Sequence, residues 1–153
     1  QLAPEVGGRV VAITHREGER VTAGEVLMRL DTGVGEAQVT LSRREVQAAE
    51  AQREQACLAA ERSRRELGRL SRLAKEGIVS TDLLDQAQTS AETAEASCRA
   101  ARATVEQARA AVALSSRRMD QMVLRAPFDG ILADLSIELG EYTTPSPPGM
   151  PLR

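Results

Sequence analysis

The spacing of apolar positions divides the chain into three zones. Near the start, short β-prone runs alternate with glycine-containing turns, at residues 10–14, 20–22 and 26–30. From about residue 36 to residue 121, apolar and small residues recur every three or four positions, which predicts helix. The strand-and-turn pattern returns from Val123, and the proline-rich segment 145–151 then ends any regular element.

The helical zone predicts an antiparallel hairpin, because a break at Gly77 separates two arms with the same period. Alternating steps of three and four residues are typical of a coiled-coil seam. In the second arm the seam comprises Leu84, Ala87, Ala91, Ala94, Cys98, Ala101, Val105, Ala108, Val112, Ser115, Met119 and Met122. In the first arm it is less regular and comprises Val39, Ser42, Val46, Ala49, Arg53, Ala56, Ala60, Ser63, Leu67, Leu70 and Ala74. Since alanine buries little area, we expect a rod of modest stability.

The two β zones resemble each other, which suggests two copies of one small unit. Four residues of the first zone recur in the second at the same spacing: Gly8, Ile13, Gly18 and Glu19 match Gly130, Leu135, Gly140 and Glu141. Two or three short strands are marginally stable alone in water. We therefore expect an α+β fold in which both copies pack together as a small β-sandwich, split by a long antiparallel α-helical coiled-coil hairpin.

The expected boundaries follow from these zones. The first β half covers residues 1–35, and the second covers residues 122–153. The hairpin covers residues 36–121, with arms at about 36–76 and 80–121.

Composition narrows the class of function. The chain has one Phe, one Tyr and no Trp, and its formal net charge of −2 comes from mixed charges along the helices. A nucleic-acid interface needs a basic face with stacking residues, so we expect none. His15 is the only histidine, and no nucleophile, phosphate-loop or zinc motif is present. We therefore expect a non-enzyme with no catalytic residue, metal or cofactor.

Two cysteines lie at nearly equal distances from the break. Cys98 lies on the seam, and Cys57 lies beside the seam residue Ala56. In an antiparallel hairpin such residues face each other, and a small-residue seam could bring them within reach of a disulfide. The alternative is that both are free and act as small apolar fillers.

The break itself has explicit turn chemistry. Gly77 suits the left-handed position that follows a helix C-terminus, and Ser80 or Thr81 can cap the second helix. The neighbouring Ile78 and Val79 are apolar and have little chain nearby to bury them. We therefore expect both side chains to be exposed in the isolated chain and to be covered by a partner.

The segments "VGGRVVAITHREGERVTAGEVLMRLD" and "VLRAPFDGILADLSIELGEYTTP" resemble the two halves of a biotinyl/lipoyl-like domain. Split by a long hairpin and rejoined at "RAPFDG", they are similar to the periplasmic adaptors, or HlyD-like membrane fusion proteins, of tripartite efflux pumps and type I secretion systems. The resemblance implies a longer protein that is anchored to the inner membrane and works in the periplasm. It also implies further domains after the second lipoyl-like half.

The resemblance extends to the turn. Adaptors that dock onto a TolC-like outer-membrane channel carry an Arg, a Leu four residues later and a Ser seven beyond that, a spacing matched by Arg69, Leu73 and Ser80. The implied partners are that channel, an inner-membrane transporter of the RND or ABC type, and further copies of the chain in a hexameric ring.

Two other functions stay open. One is a lipoyl- or biotin-type carrier domain, although the only lysine, Lys75, lies beside the turn and not between the β halves. The other is a coiled-coil adaptor whose turn meets a different partner, which includes a neighbouring copy of the same chain.

Overall fold

The computed structural model describes residues 5–144, in which two long helices lie between two sets of short strands. In chain order the elements are β1 (Gly8–Ile13), β2 (Arg20–Val21), β3 (Val26–Leu30), α1 (Gly33–Lys75), α2 (Thr81–Asp120), β4 (Val123–Arg125), β5 (Gly130–Ile131) and β6 (Tyr142–Thr143). The chain forms two compact units: residues 41–112 are the hairpin unit, and residues 1–40 with 113–153 are the β unit. The predicted α+β class with a helical hairpin is confirmed, whereas the proline-rich segment 145–151 lies outside the described residues.

In the hairpin unit, the predicted seam faces inward. Every seam residue assigned to either arm is buried or half-buried. The largest fully buried side chain of this unit is Val105, which is 2% exposed. Two ion pairs join the helices, Arg109 Nη2 to Glu50 Oε1 at 2.9 Å and Arg64 Nε to Glu95 Oε1 at 3.8 Å. Both pairs link residues at similar distances from the turn, as an antiparallel arrangement requires.

The β unit contains a four-stranded sheet in the order β4-β3-β1-β6 and a two-stranded sheet of β2 and β5. All pairings are antiparallel. Its main core consists of Val10, Met28 and Leu30, each at most 2% exposed. A second cluster consists of Val21, Leu27 and Ala126. Because each cluster draws on or is covered by residues from both ends of the chain, the β unit needs both halves to form.

The sequence repeat is visible in the structure, because equivalent strands and turns of the two halves pair with each other in the same way. Gly8 pairs with Thr143, and the matching residues of the other half, Gly130 and Val21, pair in the same way. The turn glycines follow the same rule. Gly18, at φ +82°, donates its N–H to the Leu132 carbonyl at 2.7 Å, and Gly140, at φ +90°, donates to the Val10 carbonyl at 2.9 Å. Each half therefore satisfies backbone groups that the other half would leave exposed.

Helix α1 begins three residues before the predicted start at residue 36. Thr32 acts as the N-cap, since its carbonyl accepts the Glu36 N–H at 2.8 Å and its hydroxyl donates to Glu36 Oε1 at 2.7 Å. Asp31 Oδ1 also accepts the N–H of Gly33 at 3.0 Å. The glycines at 33 and 35 disfavour helix on propensity alone. The caps override that preference, and this is why the periodicity placed the start too late.

Candidate functional site at the hairpin turn

Helix α1 ends in a Schellman motif, in which the last carbonyls are satisfied by a left-handed residue and its successor. The Ile78 N–H donates to the Leu73 carbonyl at 3.0 Å, and the Gly77 N–H donates to the Ala74 carbonyl at 3.0 Å. Gly77 has φ +73°, a conformation that side-chain-bearing residues rarely adopt. Backbone hydrogen bonds therefore hold the turn in this conformation.

Helix α2 begins with Ser80 as its N-cap. The Leu83 N–H donates to Ser80 Oγ at 3.3 Å, and the Leu84 N–H donates to the Ser80 carbonyl at 3.3 Å. Asp82 lies in the first turn, where a negative charge suits the helix dipole. Of the two capping residues predicted, the structure selects Ser80. Its hydroxyl therefore already has a structural role.

We call residues 69–83 the tip. Ile78 is 63% exposed, whereas Val79 is half-buried, so the expectation that both side chains are exposed is wrong for Val79. Leu73 is also half-buried. Leu83 was not predicted as a site residue, yet it is 42% exposed. The signal that could have found it is its position directly before the seam residue Leu84, which turns it away from the seam.

Arg69 is exposed but engaged with its own helix. Its Nε and Nη2 donate to the two carboxylate oxygens of Glu66 at 3.0 and 2.6 Å. The hydrogen bond from Arg69 lowers the pKa of Glu66, and the same bond raises the pKa of Arg69. Since an arginine has five N–H donors, the Nη1 end remains available. One edge of the Arg69 guanidinium is therefore held by Glu66.

The two cysteines are joined. Their Cα atoms lie 4.6 Å apart and a disulfide links Cys57 to Cys98, so of the two alternatives the structure contains the bridge. Cys98 is 7% exposed and Cys57 is half-buried. The bridge lies about halfway along the hairpin and encloses the tip.

Other kinds of site are not evident in residues 5–144. No group of three His, Cys, Asp or Glu side chains there could hold a metal ion. His15 pairs with Glu25, with Nε2 and Oε1 3.2 Å apart, and has no further carboxylate or thiol partner among its hydrogen bonds. Neither α1 nor α2 has an apolar stretch long enough to cross a membrane. Among the predicted site residues, the structure thus groups the tip residues and, separately, the two cysteines.

This hairpin corresponds to a known domain. Residues 45–115 match the family model described as RND MFP, alpha-helical hairpin domain. The matched residues make up less than half of the chain, and they agree with the family predicted from the sequence, the membrane fusion proteins.

Curated relatives agree. The chain is 28% identical to multidrug resistance protein MdtN of Escherichia coli (strain K12), covering 94% of this chain and 53% of MdtN. It is 30% identical to multidrug resistance protein MdtA of Pectobacterium carotovorum, covering 94% of this chain and 31% of MdtA. The chain therefore spans about half, or less, of the length of these relatives.

Solved structures share the fold. MacA from Actinobacillus actinomycetemcomitans superposes with a TM-score of 0.87 at 19% identity, covering 92% of this chain and 43% of MacA. The membrane fusion protein Spr0693 from Streptococcus pneumoniae superposes with a TM-score of 0.64 at 16% identity, covering 94% of this chain and 51% of Spr0693.

Proposed function

We propose that the protein is a non-catalytic periplasmic adaptor that links an inner-membrane exporter to a TolC-like outer-membrane channel. The tip is the docking site in this proposal. The observation that carries it is the apolar surface at the turn, where Ile78 is 63% exposed and Leu83 is 42% exposed. An exposed apolar patch of this kind is typical of a protein-interaction site.

The other tip residues supply complementary contacts. Leu73 and Leu83 extend the apolar surface around Ile78, and Arg69 presents the Nη1 end of its guanidinium, held by Glu66. A guanidinium fixed in this way donates to carbonyl or carboxylate oxygens with little further loss of rotamer entropy. We expect Val79 to contribute less, because it is half-buried.

The remaining partners follow from the family. We propose an inner-membrane transporter of the RND or ABC type, anchoring to the inner membrane, and self-association in a hexameric ring. The β unit is the part of the chain proposed to form that ring. The domain limits predicted from the sequence stay proposals, since the compact units divide inside both helices at residues 40 and 113.

Export by the intact protein tests the docking. Arg69→Asp, Leu73→Asp and Ser80→Arg should each abolish export in cells that carry the cognate exporter and channel. Normal export in all three variants would refute the docking assignment. Because Ser80 caps α2, Ser80→Arg can also weaken the helix, at a cost of about 1 kcal/mol.

Two controls separate docking from folding. Ser80→Asp keeps a good N-cap and changes the docking chemistry, so it should retain the helix and lose export. Leu58→Asp places the same charge on an exposed leucine of the shaft, 57% exposed, and should leave export intact. If Leu58→Asp is as damaging as Leu73→Asp, the tip has no special role.

A further inference from the structure

The Cys57–Cys98 bridge divides the hairpin into two segments, one on the side of the β unit and one that contains the tip. With a sequence separation of 41, it encloses residues 58–97, which include the whole tip. Within that enclosed segment the buried apolar residues are Ala60, Leu70 and Ala91. Two of these three are alanines, which contribute little burial each. In this segment, Leu70 is the one buried apolar side chain larger than alanine, so packing contributes little to its stability.

Electrostatics add little to the enclosed segment. The ion pair that joins its two helices, Arg64 to Glu95, is 3.8 Å long, and its side chains are 77% and 42% exposed. An exposed pair of this kind contributes little stability. The bridge is thus the strongest link between the helices on the tip side of the seam.

The bridge is also open to solvent on one side. Cys57 and Cys98 line an open groove whose charged residues are three arginines and two glutamates: Arg64, Arg99, Arg102, Glu61 and Glu95. Arg64 is paired with Glu95, whereas Arg99 and Arg102 form no ion pair within residues 5–144. Nearby arginines favour the thiolate form of a cysteine. Since Cys57 is more exposed than Cys98, it is the sulfur that an external reagent reaches first.

We propose that this groove is a site of thiol–disulfide exchange and that the bridge formed there is a clasp for the tip. The donor is an oxidised dithiol protein. The Cys57 thiol loses its proton, and its thiolate attacks one donor sulfur, which breaks the donor disulfide and leaves the other donor sulfur as a thiolate. The Cys98 thiolate then attacks Cys57 Sγ in the mixed disulfide and expels the second donor thiolate. The chain loses two protons and two electrons, and the donor becomes a dithiol.

The consequence is that oxidation makes opening of the tip rarer. In the reduced chain the segment 58–97 should open more often, by roughly 10²–10³-fold on the loop-entropy model for a loop of this length. We also expect that an open tip cannot dock, and this expectation rests on the proposed function. The opening of the segment and the exchange chemistry do not depend on the proposed function.

Amide hydrogen exchange of the whole chain, with and without a reductant, tests the clasp. Reduction should speed exchange in peptides from 58–97 and leave those from the β unit unchanged, and Cys57→Ser/Cys98→Ser should show the fast exchange in both conditions. Unchanged protection of 58–97 after reduction, or an equal loss of protection throughout the chain, would overturn the proposal. No channel is present in this experiment, so its failure is distinct from a failure of docking.

Single-cysteine variants test the exchange site. With glutathione disulfide as the probe, Cys98→Ser, which keeps Cys57, should form the mixed disulfide about tenfold faster than Cys57→Ser. Arg102→Gln in the Cys98→Ser background should slow that reaction, and Arg118→Gln, remote in the sequence, should not. Equal rates for the two cysteines, or no effect of Arg102→Gln, would contradict the assignment of the groove.

Discussion

The turn geometry makes a quantitative prediction for Gly77→Ala. Gly77 has φ +73°, and a Cβ placed there would meet no atom within 4 Å, so the cost is backbone conformation and not a clash. A left-handed residue with a Cβ costs about 1–2 kcal/mol. Reduced entropy of the unfolded chain returns about 0.4–1 kcal/mol. We therefore expect Gly77→Ala to lower the free energy of unfolding of the hairpin by about 1 kcal/mol.

Gly68→Ala, inside α1, is the matched control. Gly68 is exposed inside α1, and a Cβ there would also meet nothing within 4 Å. Since its conformation is helical, alanine should raise the free energy of unfolding by about 1 kcal/mol. The assay is urea unfolding of the oxidised chain, followed by far-ultraviolet circular dichroism, with equal slopes required for comparison. If both substitutions stabilise the hairpin, Gly77 is not held left-handed and the Schellman turn is wrong.

Three further predictions concern packing, pH and capping. Val105→Ala should destabilise the chain by about 2 kcal/mol, whereas Val34→Ala, at an 84% exposed position, should change the stability by less than about 0.5 kcal/mol; thermal unfolding measures both, and equal effects would refute the seam. The Thr22 N–H and hydroxyl hold the pKa of Glu25 below its ordinary value of 4.5. The stabilisation that ionised Glu25 gives the fold is therefore present above pH 4.5 and is lost as the pH falls through the lowered pKa. Glu25→Gln should remove this acid dependence of the stability, and an unchanged pH profile in the variant would contradict the prediction. Ser80→Ala should cost about 1 kcal/mol and Ser80→Asp almost nothing; equal losses in urea unfolding would show that Ser80 is not the cap.

Much of the fold could be predicted because its helices and turns follow from periodic patterns in the sequence. Seam positions such as Ala91 and Val105 recur at fixed steps, and the structure buries both. The internal repeat was visible because Gly18 and Gly140 are required by turns of the same geometry, at φ +82° and +90°. The break at Gly77 was equally explicit. These features follow from local sequence, since each depends on residues a few positions apart.

The details of the tip could not be predicted in the same way. The pairing of Arg69 with Glu66 depends on a rotamer choice, because both side chains are exposed and water can solvate either charge instead. The exposure of Leu83 and the partial burial of Val79 depend on how the turn orients the start of α2. The sequence could not decide whether the disulfide exists, because spacing places the two cysteines opposite each other but does not show whether they are oxidised.

The central claim is that the tip contacts an outer-membrane channel, and Lys75 offers a direct test. It is the only lysine of this chain and lies in the last turn of α1. An amine-reactive crosslinker applied to cells, followed by peptide mapping, should join Lys75 to the periplasmic end of the channel. A control lysine on the shaft, Arg99→Lys, should form no such link. If Lys75 links only to Lys75 of another copy, the tip serves assembly and the docking account is contradicted.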